Sequence, residues 1–541
     1  MLLCVVASAY AIIGLLMMLL ASPKVPYADS WRFLAHFLET PFPANVFVAD
    51  NGHREVLPNL VRVAELHWFD ANQWLQIAVG MVLALATVAT LVRGWRDGER
   101  TVRTAATALV CVAVFWLGNG RKLAHGSESV NLFLVLLSLV VGLRLLVTLP
   151  RDGGAGRVVG AAGLGLVATL SFGSGIACFV AFGAVLLLQR APFRHWLTLG
   201  VGAGLAAAAL LLGGGGEAAT FGFAPGEQCD LLLRWLGAPF VWALSPLLDP
   251  EHAARMPTGW LREPMLLIAV PIHDAFGPHL TARWPALAFG AAGFVWLVIA
   301  SLLRWRRPDG RSQERLALGL AWFGCAAGVL VVAVRLTFFR THQDQIVSQR
   351  YVPWSMMFWT GLLLAFLLRE GRSVRTAAGT VLFVAALLAP SQVWTGRYAW
   401  KTFRTAELTA LGASVGVLDR AFPLVETDAK DLLHVVPLLR AAKKAVFAWP
   451  ETQALGTRPG SEALLPVTVQ DVEVARVQNW FGPDGWAVKF RAEGAAAERL
   501  LLLDGTGTAC GLAIRTGPDK SWEGWMRSEI AAPELRAGAL R

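Results

Sequence analysis

The sequence predicts a polytopic α-helical membrane protein that carries a small β-rich domain at its C-terminal end. Of the 541 residues, 55% are hydrophobic and only 16% are charged, and the mean hydropathy is +0.52. Apolar windows of roughly 17 to 22 residues, the length that crosses the hydrocarbon core, recur as far as Pro390. Beyond Pro390 the composition shifts toward that of a soluble domain.

The apolar windows predict about eleven crossings. They lie near residues 2–21, 74–92, 104–118, 130–149, 157–172, 174–189, 196–213, 284–303, 315–334, 352–368 and 374–390. The first window lacks a basic leading segment and a clean small-residue cleavage site after it. We therefore expect it to be a retained first helix rather than a signal peptide.

Short arginine-rich loops predict the orientation. They are "RGWRDGER", "RLLVTLPRDGGAGR", "QRAPFRHW", "RWRRPDGRSQER" and "REGRSVR", and cations concentrate on the cytoplasmic side of membranes. The N-terminus is then cytoplasmic, and the segments 22–73, 119–129, 214–283, 335–351 and 391 onward face outward. The formal net charge of +10 is explained by the Lys and Arg residues that concentrate in these short loops. It therefore does not indicate nucleic acid as a partner.

Two outward loops are too long to be simple connectors. The loop 22–73 contains "WRFLAHFL" and "LPNLVRVAELHWF", whose apolar residues have helical spacing, and we expect amphipathic helices in the membrane interface. The loop 214–283 contains "LLLRWLGAPFVWALSPLL", which predicts another interfacial or re-entrant element, although its length also suits a complete crossing.

The predicted domains are a transmembrane domain 1–392, a helical linker 393–460 and a β-rich domain 461–541, the last two outside the cytoplasm. Short apolar bursts broken by Gly, Asp and Pro after residue 463 are typical of a small β-sandwich or β-barrel. Its tryptophans are candidates for a sugar-stacking surface, but in a small β core packing is the more common role; they are Trp480, Trp486, Trp522 and Trp525. Six scattered cysteines show no disulfide or zinc spacing.

Asp29, in "YADSW", is the candidate general base. It follows the first predicted helix by some eight residues, and a carboxylate at the water–lipid boundary is reachable by a lipid-borne substrate, while partial burial raises its basicity. The alternative is structural, because Asp or Ser ahead of "WRFLAHFLE" is also typical of a helix N-cap.

The stretch "DNGHREVLPNLVRVAEL" concentrates ionisable side chains. Asp50, His53 and Glu55 are candidate motif or acceptor-binding residues. The planar guanidinium groups of Arg54 and Arg62 suit phosphate oxygens, although Arg62 also lies three residues from Glu65 and could pair with it.

Further cations lie in the other outward loops. "GNGRKLAHGSESVN" supplies Arg121 and Lys122, and "RLTFFRTHQDQIVSQRY" supplies Arg340 and Arg350. Since cations are depleted on the outer side, a phosphate or pyrophosphate held at the membrane surface explains them. Contact with anionic headgroups, or snorkelling from helix ends, is the competing explanation.

"SFGSG", residues 171–175, separates two apolar windows and predicts a hairpin turn, with a broken helix as the alternative. The sequence has no P-loop, no dinucleotide-binding glycine motif, no HExxH and no GxSxG. A cytosolic nucleotide site is therefore not expected.

The layout resembles the GT-C class of integral-membrane glycosyltransferases, which combine a first helix, a large outward loop with an acidic residue and interfacial helices, further crossings and an outer C-terminal domain. "NGHREVLPNLV", "SFGSG" and "SQRYVPWSMMFW" resemble motifs in bacterial membrane proteins of this general type. The first motif is usually closer to Asn-Glu-His-Arg. Here Gly52 stands in place of that Glu, and Glu55 follows the Arg.

The resemblance implies a sugar donor carried on polyprenyl phosphate and an envelope glycan or lipid as acceptor, both used at the periplasmic face of a bacterial inner membrane. Asp29 would deprotonate the acceptor hydroxyl, with inversion at the anomeric carbon. The residues that would stabilise the leaving phosphate are Arg54, Arg62, Arg121, Lys122, Arg340 and Arg350.

Some members of the class hold a divalent metal with paired acidic residues. The first outward loop contains no Asp-x-Asp, so a metal-independent reaction is favoured and no metal ligand is assigned, although Asp29 could still converge with Asp50 or Glu55. The alternative function is a transporter or flippase of a lipid-linked or anionic solute, which would use the same cations without breaking a bond. Transporters more often show internal repeats, and none is evident.

Overall fold

The computed structural model describes residues 1–541 except 50–52, 96–98, 150–153, 212–221, 257–258, 278–282, 308–310, 370, 425–426, 495–496, 518–519, 529–533 and 541. The chain divides into two units. The first consists of Met1–Ser22, Phe47–Asn59 and Ile77–Ala399, and the second of Pro23–Val46, Leu60–Gln76 and Trp400–Arg541. Each predicted domain is one continuous segment of the chain, whereas each of the two units combines segments that are distant in sequence.

Helices account for most of the described chain. Their bounds are α1 Leu2–Leu16, α2 Ser30–Glu39, α3 Val56–Trp68, α4 Trp74–Val92, α5 Arg100–Phe115, α6 Gly120–Leu123, α7 Gly126–Val147, α8 Ala155–Thr169, α9 Ala177–Leu188, α10 Phe193–Leu211, α11 Pro225–Leu248, α12 Pro250–Ala254, α13 Gly259–Phe276, α14 Trp284–Arg306, α15 Ser312–Val334, α16 Leu336–Thr341, α17 Val352–Leu367, α18 Val374–Val415, α19 Ala429–Ala442 and α20 Pro450–Gln453. A π-helical turn, Met17–Ala21, extends α1.

Nine helices of the described chain are long and apolar enough to cross a membrane, and three shorter ones, Ala155–Thr169, Gly173–Leu188 and Val352–Leu367, are also apolar. Each of the eleven predicted windows falls on one of these twelve helices. The twelfth is α11, which lies in the loop 214–283. The chain is therefore a multi-pass helical protein of membrane type, and the number of crossings stays a prediction.

Helix α11 runs alongside the connection between α15 and α17. Arg234 donates to the carbonyl of Gln343 at 3.0 Å, and Trp242, two turns further on, donates to the carbonyl of Val347 at 2.6 Å. Because α11 is also one of the helices long and apolar enough to cross a membrane, the interfacial or re-entrant element and the complete crossing both stay predictions.

Small residues let α11 approach α14 closely. A Cβ added to Gly237 would lie 1.9 Å from the carbonyl oxygen of Ala286, and one added to Gly290 would lie 1.8 Å from that of Leu233. Helices in membranes associate through such close backbone contact, because lipid offers little hydrophobic driving force. These two glycines therefore fix the spacing of the pair.

The second unit contains α2 and, from Leu60 onward, α3, the two predicted amphipathic helices of the first loop. Helix α2 buries Trp31, Phe33 and Phe37 on one face, and it packs against α19. Helix α19 buries Leu432, Val435, Val436 and Leu439, the i, i+3, i+4, i+7 spacing of one helix face.

The C-terminal part of the second unit is a closed six-stranded barrel, which confirms the predicted β-rich fold. The strands are β1 Leu464–Val477, β2 Gly485–Glu493, β3 Arg499–Leu503, β4 Ala509–Arg515, β5 Ser521–Met526 and β6 Arg536–Leu540. All neighbours in the order β1-β2-β5-β4-β3-β6 are antiparallel, and β6 pairs with β1, so each of the six described strands has a partner on both sides.

Packing is the main role of the barrel tryptophans. Trp522 is 2% exposed and stacks on Phe490. Trp525 is buried, and its indole N–H donates to the carbonyl of Leu408 at 3.0 Å. Trp486 is partly buried against the same core. Trp522 and Trp486 pack in the barrel interior, whereas Trp525 packs outside it, against Leu408 and Phe422. These three side chains do not form an open stacking platform.

Candidate functional site

Asp29 occupies the N-cap position of α2, but its side chain makes no capping hydrogen bond. Arg32 donates to it instead, with Nη2 3.0 Å from Oδ1 of Asp29. The Asp29 side chain is 38% exposed, so solvent or a substrate group can reach the carboxylate. The N-cap alternative is thus correct for the position in the helix and wrong for the side chain. The role as a general base stays a prediction.

Arg62 and Glu65 lie on α3 in the second unit. The guanidinium carbon of Arg62 lies 4.0 Å from the ring centre of Phe33. Glu65 is 1% exposed and accepts a hydrogen bond of 2.9 Å from the backbone N–H of Gln76. Burial raises the pKa of Glu65 to about 7. Arg62, Glu65 and Gln73 line a cavity of about 10 Å³, which has room for one water molecule.

In the first unit, the connection between α5 and α7 carries Arg121 and Lys122. Asn119 stabilises the end of α5 by donating to the carbonyls of Ala113 and Val114 at 2.8 and 3.2 Å. The chain then forms the single turn of α6, which contains both cations. A short helix of this kind presents neighbouring side chains in fixed directions.

Glu128, in the first turn of α7, neutralises part of this charge. Lys122 is 2% exposed and its ammonium group pairs with the Glu128 carboxylate. Nη2 of Arg121 lies 3.8 Å from the same carboxylate. Because the Lys122 side chain is withdrawn from water, this ion pair is held in a medium of low dielectric constant, where its charges interact strongly.

The segment 53–55, which we call the HRE segment, contacts the same helix. Nδ2 of Asn131 donates to Oε1 of Glu55 at 3.0 Å, and both side chains are buried. Asn131 follows Glu128 by three residues, so the two lie on one face of α7. The backbone N–H of Leu57 donates to the carbonyl of Leu170 at 3.4 Å, which links the segment to the turn after α8.

That turn supplies an aromatic ring at the centre of the arrangement. The ring centre of Phe172 lies 4.4 Å from that of His53, 5.8 Å from that of Trp354 and 4.9 Å from Nζ of Lys122. Gly173 makes this approach possible, since a Cβ there would lie 2.5 Å from Nδ1 of His53. The predicted turn at "SFGSG" is thus a packing site for the histidine.

These side chains form one group, which we call the polar cluster. Its members are His53, Glu55, Lys122, Glu128, Asn131, Phe172 and Trp354. The side chains of α6, of the turn after α8, and of the first turns of α7 and α17 all come from helix ends. The cluster therefore lies on one face of the helical unit, and the segments that compose it are ones the sequence predicts to share the outer face.

The remaining predicted cations are distributed elsewhere. Arg54 lies between His53 and Glu55, and its Nε has no hydrogen-bond partner among the described residues. Arg340 pairs with the exposed Glu227 at 2.8 Å, and Arg350 lies over the ring of Tyr351, 4.9 Å from its centre.

The structure thus brings His53, Glu55 and Lys122 together, with Arg121 joined to them through Glu128. Arg62 and Asp29 belong to the second unit. Helix α3 begins only at Val56, so Arg54 lies outside it. Asp50 lies outside the described residues.

Sequence reasoning did not identify Asn131, Phe172 or Trp354 as site residues. An Asn within a predicted crossing is a signal, because polar side chains in apolar helices are rare and face a partner. Phe172 and Trp354 carried a weaker signal, since they lie within "SFGSG" and "SQRYVPWSMMFW" but Phe and Trp are common in apolar windows.

The cluster suits a ligand that combines an anion with hydroxyl groups. Lys122 and Arg121, and Arg54 between His53 and Glu55 in the chain, carry N–H groups that suit phosphate oxygens. Carboxylates and an amide accept from and donate to hydroxyls, and an aromatic face can stack on a sugar ring. No group of three or more His, Cys, Asp or Glu side chains in the described part of the chain is arranged to hold a metal ion.

The fold and the site define a multi-pass helical protein with a buried polar cluster at one end of its helices and a separate barrel-containing unit. No family model matches the chain, and no curated protein matches it significantly.

Proposed function

We propose that the chain is a GT-C-like membrane glycosyltransferase that moves a sugar from a polyprenyl-phosphate donor to an envelope glycan or lipid acceptor at the periplasmic face of a bacterial inner membrane. The observation that carries the proposal is the polar cluster, in which cations, carboxylates and aromatic rings meet at the ends of apolar helices. A polyprenyl phosphate presents its phosphate and sugar at that depth, where the hydrocarbon core meets water.

The position of the cluster also favours an enzyme over a transporter. Secondary transporters bind their substrates near the membrane midplane, commonly at broken helices in repeated halves. The side chains of the cluster come instead from the residues just ahead of α3, from α6, from the first two turns of α7, from the turn after α8 and from the first turn of α17. A ligand bound there is accessible from one face, which suits a reaction more than translocation.

The proposed reaction needs a base and a group of cations. Asp29 takes the proton of the acceptor hydroxyl as its oxygen bonds to the anomeric carbon, and the bond from that carbon to the phosphate oxygen breaks. Negative charge grows on the departing polyprenyl phosphate. Arg54, Arg121 and Lys122 of the first unit are the groups assigned to stabilise it, since fixed cations in a medium of low dielectric constant stabilise a developing charge strongly. The polar cluster supports this role of the cations, whereas the role of Asp29, in the second unit, is the one that the resemblance implies.

The test is transfer of radiolabelled sugar from polyprenyl-phosphate donors to envelope glycan extracts by the purified chain in proteoliposomes. Release of polyprenyl phosphate is measured for the wild type, Asp29→Asn and Arg121→Gln at equal folded yield. We expect Asp29→Asn to lose about a hundredfold or more in kcat while still binding donor, and Arg121→Gln to lose about tenfold.

Arg157→Gln is the matched control, because Arg157 is an exposed arginine at the other end of α8. It should leave transfer unchanged. If no form consumes donor but labelled lipid or anionic solute crosses the proteoliposome membrane, the transporter is the correct function. Equal transfer by Asp29→Asn and the wild type would remove Asp29 as the base.

A further inference from the structure

Asp29 is the first member of a chain of charges that ends on the C-terminal part of the second unit. The guanidinium group of Arg32 donates through Nη2 to Asp29 at 3.0 Å and through Nη1 to Oδ2 of Asp431 at 2.9 Å. Asp431 lies in the first turn of α19. One planar group therefore joins the candidate base to a helix that the sequence places in the linker.

The planar geometry of the Arg32 guanidinium restricts how it can bind Asp29 and Asp431 at the same time. The guanidinium is rigid and its N–H groups point in fixed directions. When Asp431 holds Nη1, the plane of the group is set, and Nη2 can meet the Asp29 carboxylate in only one orientation. A lysine in the same place would carry the charge without fixing the orientation.

Other contacts hold the two parts of the unit together independently. Nε2 of His434 lies 2.8 Å from Oε1 of Glu39, at the other end of α2. Beyond α19, Lys444 pairs with Asp70 at 2.5 Å, and the backbone N–H of Ala445 donates to the Asp70 carbonyl at 2.6 Å. Loss of Asp431 alone therefore leaves α2 docked on α19.

We propose that α19 positions Asp29 for the transfer reaction through Arg32, and that Asp431 is a positioning residue of the enzyme. This inference rests on the proposed function. It makes the C-terminal part of the chain a component of the catalytic apparatus rather than an appended domain.

The inference separates an effect on rate from an effect on folding. The side chains of Arg32 and Asp431 are 25% and 24% exposed, and pairs that are partly open to water contribute little to folding stability. A base displaced by about 1 Å, in contrast, costs on the order of a hundredfold in rate. The expected signature is a large loss of kcat in a protein that is folded normally.

The experiment compares Asp431→Asn with Asp431→Glu, Arg32→Lys and the control Glu39→Gln in the full-length chain in proteoliposomes. We expect Asp431→Asn to lower kcat about 10- to 100-fold while KM changes less than about twofold. Asp431→Glu should recover much of the loss, and Arg32→Lys should resemble Asp431→Asn. Glu39→Gln, which alters the contact between Glu39 and His434 on the same two helices, should stay within about twofold of the wild type.

Hydrogen exchange of the α2 amides provides the second measurement. Unchanged protection of Ser30–Glu39 in Asp431→Asn, together with the loss of kcat, supports positioning. If Asp431→Asn does not fold, Arg32→Lys carries the test, because it keeps the charge.

Two results overturn the inference in distinguishable ways. Full activity of Asp431→Asn and Arg32→Lys, in a preparation where Asp29→Asn is inactive, refutes the positioning role and leaves the proposed function standing. Absence of transfer by the wild type, or full transfer by Asp29→Asn, refutes the inference together with the assignment of the base.

Discussion

Gly173→Ala tests whether the HRE segment and the "SFGSG" turn meet as described. The added Cβ would lie 2.5 Å from Nδ1 and 3.1 Å from Cε1 of His53, against an ordinary contact of about 3.5–4.0 Å. The imidazole must therefore move by about 1 Å, although Phe172 lies 4.4 Å away, between ring centres. Overpacking of this size costs about 1–3 kcal/mol, and we expect that loss in the free energy of unfolding in mixed micelles.

The control is Gly163→Ala, which lies on α8 with nothing within 4 Å of an added Cβ. It should be neutral or stabilise the helix by up to about 1 kcal/mol. The double variant His53→Ala with Gly173→Ala removes the ring that the methyl group meets, so the cost of the second substitution should fall below about 0.5 kcal/mol. An equal cost in both backgrounds would refute the contact between the two motifs.

Three further outcomes are expected. Lys122→Met should lower the free energy of unfolding by about 3 kcal/mol, because it removes the closer of the two cations that pair with Glu128. Adding Glu128→Gln should recover most of the loss, and additive losses would contradict the ion pair. Burial raises the pKa of Glu65 from 4.5 to about 7, so the folded second unit keeps a proton that the unfolded chain releases, and its stability should fall by about 3 kcal/mol as the pH rises from 4.5 to 7. Glu65→Gln should abolish this dependence of the free energy of unfolding on pH. If the dependence persists in the variant, another group causes it. Trp522→Ala should lower the free energy of unfolding of the barrel by about 3–5 kcal/mol, and near-UV circular dichroism should show the loss of its tertiary structure. A barrel that stays folded and loses only glycan binding would support the stacking role instead.

The apolar helices were predictable because hydropathy and length are local properties of the sequence. The windows at 2–21 and 315–334, for example, fall on α1 with its π-helical turn and on α15. The amphipathic helices α2 and α3 were predictable for the same reason, since their apolar residues recur at helical spacing. The β-rich domain followed from short apolar bursts between turn residues, and barrel closure, which requires β1 to pair with β6, was one of two forms compatible with them.

The partners of the ionisable residues were not predictable. Glu55 and Asn131 are 76 positions apart, and Arg32 and Asp431 are 399 apart. The intervening sequence contains no pattern that predicts these contacts. The spacing of Asp29 ahead of α2 suggested an N-cap, but a guanidinium three residues later competes for the carboxylate, and a charged donor forms the stronger hydrogen bond. The grouping of the first loop with the C-terminal part likewise depends on the buried faces of α2 and α19, each of which is an ordinary amphipathic pattern by itself.

The assembly of the second unit from both ends of the chain has a consequence for biosynthesis. At about 5–20 residues per second, a ribosome needs about 20–80 s to proceed from Arg32 to Asp431. During that interval Trp31, Phe33 and Phe37 of α2 have been made, and the helix that packs on α2 has not. Every nascent chain therefore passes through a stage in which its helical unit is largely synthesised while the candidate base is still unsupported, and a chain that terminates early stays in that form.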